Sequence, residues 1–276
     1  MLDAVYDDLL RPGFPPEELF LREQLRAVPA GGRGVVTVVL DGEGAPAGAA
    51  VGEVFADSGV LLLSYLAVRE DMRAAGLGGR LMAEVTGGWQ RRFRPAVTLT
   101  EADHPLAHAP DDGPHGDPTR RLRFYHRHGG LALDVPYAQP ALTRGGLRRY
   151  GMVLIRLAPG PAGNGAGAGE WPAERPGKRG LDAAGDDAAG DDAGRDGAGG
   201  DGAAGGGTAD TAGVREAAVA ASPVREFAES YYFATEGPPA RTDPVLRPLW
   251  RALSGRDSIR LLSLADPAAL PLLTAG

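Results

Sequence analysis

The chain has 276 residues, 29 of them Lys or Arg against 36 Asp or Glu, for a net charge of −7, and it contains no cysteine. That length holds one sizeable core with room for a small second unit, and the missing thiols exclude both a disulfide framework and a thiolate metal site. Ten acidic and four basic residues fall between Ala158 and Gly213, so the remainder is nearly neutral and nucleic acid is an unexpected partner.

No apolar run approaches a membrane span, and Met1-Leu2-Asp3-Ala4 lacks the basic start and apolar stretch of a signal peptide. The expectation is a soluble cytoplasmic protein with no membrane partner.

Asp3 to Leu10 reads as a short helix, and Pro15-Pro16-Glu17-Glu18 as the start of another carrying Leu19, Phe20 and Leu25 on one side. Valine-rich Gly34 to Leu40 is a strand, bounded by the Gly31-Gly32 pair and the Asp41-Gly42 turn. Ala49 to Phe55 is a second strand. Val60 to Val68 is a third, after the turn at Asp57-Ser58-Gly59. Together they predict an antiparallel meander. Leu77, Leu81, Met82, Val85 and Trp89 then recur at helical spacing and should lie on the sheet, although Gly87 and Gly88 weaken that helix. Ala96 to Glu101 is the next strand. Asp117 as N-cap and Pro118 at the first helical position open a further helix, which Gly129 ends. Leu131 to Val135 and Gly151 to Leu157 are the remaining strands of this part.

From Ala158 the sequence collapses into Gly, Ala, Asp and Pro, with too little apolar surface to offset ordering entropy, so 158–213 is expected to be a disordered linker or insertion. Order returns near Val214. Ser222-Pro223 opens a helix carrying Val224, Phe227, Tyr231 and Tyr232, and Asp243-Pro244 opens another carrying Leu246, Leu249, Trp250 and Leu253. Ser258 to Leu264 is strand-like. This 214–276 segment is expected to dock on the 1–157 core and add an edge strand.

The chemistry concentrates where the third strand ends. Leu62 to Val68 runs into Arg73-Ala74-Ala75-Gly76-Leu77-Gly78-Gly79-Arg80-Leu81, a glycine-rich loop that opens directly into a helix. Such an order aims free backbone N–H groups and the positive end of a helix dipole at one spot, which suits a pyrophosphate. A Walker loop is excluded because no lysine follows, and a dinucleotide fingerprint because its third glycine would fall on Leu81. A plain glycine-rich turn remains the alternative for the loop taken alone.

The R-x-x-G-x-G pattern at Arg73–Gly78, after an L-x-V strand end, resembles the coenzyme A loop of the GNAT superfamily of N-acetyltransferases. About fifty residues on, Arg123-Phe124-Tyr125-His126-Arg127-His128-Gly129 is similar to the family's R-x-F-Y-x-x-x-G-type segment. The resemblance covers residues 1 to 157. It implies an α/β fold, an α+β sandwich with a mixed, mostly antiparallel central sheet flanked by helices. It also implies a strand ahead of the first helix, where this chain enters the helix directly; either the start site is misplaced or the Ser258–Leu264 strand compensates.

By the same resemblance the co-substrate is acetyl-coenzyme A and the other partner an amine acceptor, small molecule or peptide, with room for a homodimer. The amides of Arg73, Ala74, Ala75, Gly76, Leu77, Gly78 and Gly79 would hold the pyrophosphate. Leu66 and Val68 would bond the pantetheine arm in a splay between the Leu62–Val68 and Ala96–Glu101 strands, with the Val68 N–H as oxyanion donor. Tyr125 is the candidate acid for the departing thiolate. Glu101 is the candidate base, directly or through a water, with Glu53 as runner-up. Phe124 is expected to pack in the core. A coenzyme-binding module without turnover, and a transferase for a longer acyl group, are the competing readings.

All five histidines fall between His104 and His128. His104-x-x-x-His108 has metal-like spacing, but Pro105 spoils a helix there and no third ligand is spaced for it, so no metal is expected. Asp103 to Gly116 is read as a polar loop over the acceptor site.

Overall fold

The structure is a computed structural model that describes residues 1–109, 116–158 and 217–275. The stretch read as a linker thus lies outside the described residues apart from Ala158, as do 110–115 of the loop expected over the acceptor site.

Helix α1 spans residues 2–13, with a π turn at Tyr6–Leu10. The helix expected from Pro15 is instead a single 3₁₀ turn, Pro16–Glu18, and α2 begins only at Arg22–Ala30. Leu19 and Leu21 between them are extended. Tyr65 explains the break: its hydroxyl accepts from the Phe20 N–H at 2.9 Å and donates to the Glu18 carbonyl at 2.7 Å, replacing helical bonds with a tie to the sheet.

Strands β1 (Gly34–Leu40), β2 (Pro46–Phe55) and β3 (Val60–Val68) form the meander, and β4 (Val97–Asp103) lies parallel to β3. Between them runs α3, residues 77–93. Helix α4 (Pro118–Arg127) precedes β5 (Leu131–Leu133), β6 (Tyr137–Gln139) and β7 (Arg149–Arg156). The C-terminal segment contributes β8 (Ala218–Ala220), α5 (Ala221–Thr235), α6 (Arg247–Leu253) and β9 (Ser258–Ser263). The sheet order is β1-β2-β3-β4-β7-β5-β9-β8, with β6 paired to β7, and every pairing except β3–β4 is antiparallel. The fold is therefore a mixed, mostly antiparallel sheet with helices on both faces. Strand β9, expected at an edge, is instead flanked by β5 and β8, with β8 as the edge remote from β1.

Alternation along the strands assigns the faces. Leu61 and Leu63 pack with Leu81, Met82, Val85 and Trp89 of α3 and with Leu122 and Tyr125 of α4. Val60, Leu62, Val97 and Leu99 pack on the opposite face with Val224, Phe227, Ala228 and Tyr232 of α5. Val5, Leu9 and Leu10 of α1 and Leu25 of α2 share that second side with Val51, Tyr65 and Ala67. Trp89 accounts for a glycine in β2: a Cβ at Gly52 would lie 2.6 Å from its ring. The Gly87-Gly88 pair lies in a π turn, Val85–Trp89, and a Cβ at Gly88 would meet the Glu84 carboxylate at 1.9 Å.

Local signals set the ends of α4. The Asp117 carboxylate accepts from the Thr119 N–H at 2.8 Å. At the other end Gly129 has φ +74°, with Gly130 N–H bonded to Tyr125 C=O at 2.9 Å and Gly129 N–H to His126 C=O at 3.0 Å, the paired bonds of a Schellman stop. Asp117→Ala should cost about 1 kcal/mol, the usual worth of an N-cap, read as a shift in the midpoint of a urea melt.

Candidate active site

The bonding phase of β3 decides what its last residues offer. The Arg69 N–H donates to the Ala47 carbonyl at 2.9 Å, and Val68 pairs with Gly48, Ala67 with Ala49 and Leu66 with Ala50. Opposed residues alternate between bonded and non-bonded pairs, so the N–H and C=O groups of Leu66 and Val68 point away from β2. The β3–β4 ladder stops at Leu63↔Thr100, although both strands continue. The two backbones therefore splay. Leu66 and Val68 face the gap.

A register shift between β2 and β3 leaves Ser64 as the extra residue, a bulge that re-aims the strand at the same place. A cleft of about 600 Å³ opens there, lined by Ser64 to Val68, Thr100, Glu101, Gln139, Tyr125, Arg73 and Gly78 among others.

At one rim lies the glycine-rich loop. Residues Glu70–Ala75 form 3₁₀ turns, and Gly76 then takes φ +73°, a conformation L side chains rarely adopt, which turns the chain into α3 at Leu77. Among the described residues no side chain caps that N-terminus. The amides of Leu77, Gly78 and Gly79 are consequently left as a converging set of donors with the helix dipole behind them. Arg73 is exposed at the same rim. Arg69 is held by Asp71 and Asp41, each at 2.8 Å, and braces the loop. Phe124, expected in the core, is only half buried and stands at the cleft against Gly78, where a Cβ would lie 3.3 Å from its ring.

Thr100 and Glu101 are adjacent in β4, so they present to opposite faces of the sheet at the splay. On the α4 face, the Thr100 hydroxyl donates to the Leu63 carbonyl at 2.9 Å and lies beside the Tyr125 phenol, within reach of a hydrogen bond to it. Tyr125 is buried, and that burial pushes its pKa above the usual 10, keeping the phenol protonated.

On the other face Glu101 accepts from Tyr137 Oη at 2.6 Å (to Oε1) and from Gln139 Nε2 at 2.8 Å, with Tyr231 Oη at 3.5 Å (both to Oε2). Desolvation outweighs these donors and, with nearby Glu53, pushes its pKa up to about 7. Glu53 lies one step behind the cleft. Its carboxylate accepts from the Ser64 hydroxyl at 2.7 Å, and burial raises its pKa as well. The cleft thus brings Leu66, Val68, Arg73, Gly78, Glu101 and Tyr125 together, while Glu53 reaches it only through Ser64.

Sequence reasoning did not find the residues that surround Glu101, Tyr137 and Gln139, nor Thr100 beside Tyr125. It also missed an ionic cluster beside the cleft, of which Glu18 and Arg121 line the wall. There Asp103 binds Arg121 at 3.0 Å and Arg149 at 2.9 Å, and Arg149 also pairs with Glu18. Burial and the Asp103 charge push Glu18 up to about 7, whereas at Asp103 desolvation is outweighed by the surrounding cations, Arg149 first and then Arg121, which keep its pKa below its ordinary value. His104 and His108 are tied to the backbone: the His104 ring nitrogen Nδ1 accepts from the Leu106 N–H at 3.1 Å, and the His108 ring lies 2.9 Å from the Tyr150 carbonyl. Among the described residues no group of three His, Cys, Asp or Glu side chains is placed to hold a metal ion.

No family model matches the chain, and no curated protein does. Several solved structures are similar to it. One is a GNAT-family protein of Bacteroides thetaiotaomicron, at 22% identity over 58% of this chain and 81% of the other, with a TM-score of 0.44. Another is the ribosomal-protein-S18-alanine N-acetyltransferase of Escherichia coli, at 19% identity over 59% and 90%, TM-score 0.40. A third is a GNAT family acetyltransferase of Elizabethkingia anophelis with acetyl-CoA bound, at 14% identity over 52% and 92%, TM-score 0.35.

Proposed function

We propose that the chain is an acetyl-coenzyme A-dependent N-acetyltransferase of the GNAT type, acting on an amine. The observation that carries the reading is the splay. It sets a polar strand edge and an uncapped helix N-terminus on one side, and a carboxyl with a pKa of about 7 on the other.

The residues present fit the coenzyme: the amides from Gly76 to Gly79, with Arg73 at the rim, suit a diphosphate, and the Leu66 and Val68 edge suits an amide-bearing arm. Bound there, acetyl-coenzyme A supplies an acyl group activated on sulfur. Glu101 takes the proton of the acceptor amine from the α5 face. The Val68 N–H, directed into the gap, is a donor for the carbonyl oxygen as it gains charge. Tyr125, from the α4 face, holds a proton at its hydroxyl for the departing sulfur. Base and acid stand on opposite sides of the reacting centre, and the protein's main contribution is to position two molecules between them.

A panel of amines screened for coenzyme A release, with acetyl and longer acyl donors compared, tests the reading. Turnover of acetyl-coenzyme A with at least one amine is expected, and tight binding of it with no acyl loss would instead mark a binding module. Tyr125→Phe should lower kcat by about 100-fold, the low end of the range for a lost general acid, while calorimetry shows acetyl-coenzyme A affinity unchanged. Undiminished turnover in that variant would remove Tyr125 from the mechanism.

A further inference from the structure

Two consecutive tyrosines of α5 converge on Glu101 from a part of the chain 130 residues away. The Tyr231 hydroxyl stands 3.5 Å from Glu101 Oε2. Its ring is fixed by Phe227, 5.3 Å away on the same helix, and by Phe55 of β2 at 5.6 Å, the two phenylalanines themselves meeting edge-to-face at 4.8 Å. Tyr232, fully buried, donates its hydroxyl to the carbonyl of Ala138. Ala138 is the residue between Tyr137 and Gln139, the two donors to Glu101.

The end of α5 holds the same hairpin from outside. Glu236 accepts from the Ala141 N–H at 3.2 Å and pairs with Arg148, which also binds Asp243 at 2.6 Å. Strand β6 is only three residues long and among the described residues pairs with β7 alone, so its own ladder fixes it weakly.

We propose that α5 positions Glu101 for proton transfer, with Tyr231 at the carboxylate and Tyr232 acting through the backbone of β6. Neither tyrosine is a catalytic residue; both are positioning residues. The C-terminal segment is on this view a working part of the acceptor site, not a passive cover. The inference rests on the reading of Glu101 as base. The groups that face Glu101 are Glu53 of β2, Tyr65 of β3, Tyr137 of β6, Tyr231 and Tyr232 of α5, and Glu18 of the 3₁₀ turn. Burial raises the phenols well above 10, so only Glu18 and Glu53 can change charge alongside Glu101 in the range that matters.

The test uses the full chain with Tyr231→Phe and Tyr232→Phe. The Glu101 carboxyl is followed by carbon-13 NMR titration (assigned with Glu101→Gln) beside the pH profile of kcat. Removing or loosening a donor to the ionised carboxylate should raise its midpoint, by about half a unit or more for each variant, with the acidic limb of kcat moving equally and acetyl-coenzyme A affinity unchanged. Melting temperature screens for misfolding; if Tyr232→Phe fails to fold, Tyr231→Phe carries the test. A midpoint unmoved in the folded variants overturns the proposal, and loss of turnover in Glu101→Gln would then still leave the base reading standing. A midpoint that moves while Glu101→Gln keeps full turnover shows a clamp on a carboxyl that transfers no proton, and so overturns both the base reading and the proposal built on it.

Discussion

Glu101→Gln is expected to lower kcat/KM for the preferred amine by about 10²- to 10⁴-fold, the usual loss when a general base is removed. The substitution is nearly isosteric, and its amide oxygen still accepts from Tyr137, which bonds Oε1 at 2.6 Å in the parent chain. Folding should survive, which circular dichroism can check. The pH dependence supplies the second half of the prediction. Burial raises the Glu101 carboxyl to about 7, so below that value it is protonated and idle, and above it ionised and able to accept a proton. Wild-type kcat should therefore climb through pH 7 to a plateau, and the residual activity of the variant should lack that limb. A variant that keeps the same limb would assign it to another group, with Glu18, also pushed up to about 7, the first to examine.

Gly79→Asp should weaken acetyl-coenzyme A binding on the order of 100-fold, close to the loss of one or two charge-assisted contacts. Space is available: a Cβ at Gly79 meets the His128 ring at 3.5 Å, an ordinary contact. An aspartate in the first turn of α3 is favourable to the helix dipole, so the melting temperature should hold or rise. Binding and stability then move in opposite directions. That outcome, read by calorimetry beside a thermal melt, separates an anion site from a merely structural turn. Unchanged affinity would place the diphosphate elsewhere.

What was legible in the sequence was what neighbouring residues decide. The glycine-rich run at Gly76–Gly79 announces a loop opening into α3, Asp117-Pro118 and Gly129 bracket α4, and the valine-rich runs mark β1 to β3, because each signal lies within a few residues of its effect. The break at Leu19–Leu21 was not legible, since it depends on a phenol from β3. Nor was the purpose of Gly52, which makes room for Trp89 from across the sheet. Glu101 could be nominated by its place at a strand end, but its chemistry could not be read, because Tyr137, Gln139 and Tyr231 lie 36, 38 and 130 positions away. Strand β6 escaped notice because three residues between Pro136 and Pro140 carry no periodicity.

The pairing of β9 with β5, and the sharing of one apolar cluster by α5 with β3 and β4, have a kinetic corollary. During synthesis the first half of the molecule leaves the ribosome with Val60, Leu62, Val97 and Leu99 still awaiting their cover, and such uncovered surface invites aggregation or chaperone capture. Contacts this far apart in the chain also make folding slow relative to a locally connected domain of equal size. Burst-free refolding with a single slow phase, in which enzymatic competence and burial of Trp250 recover together, is the signature that such long-range closure would leave.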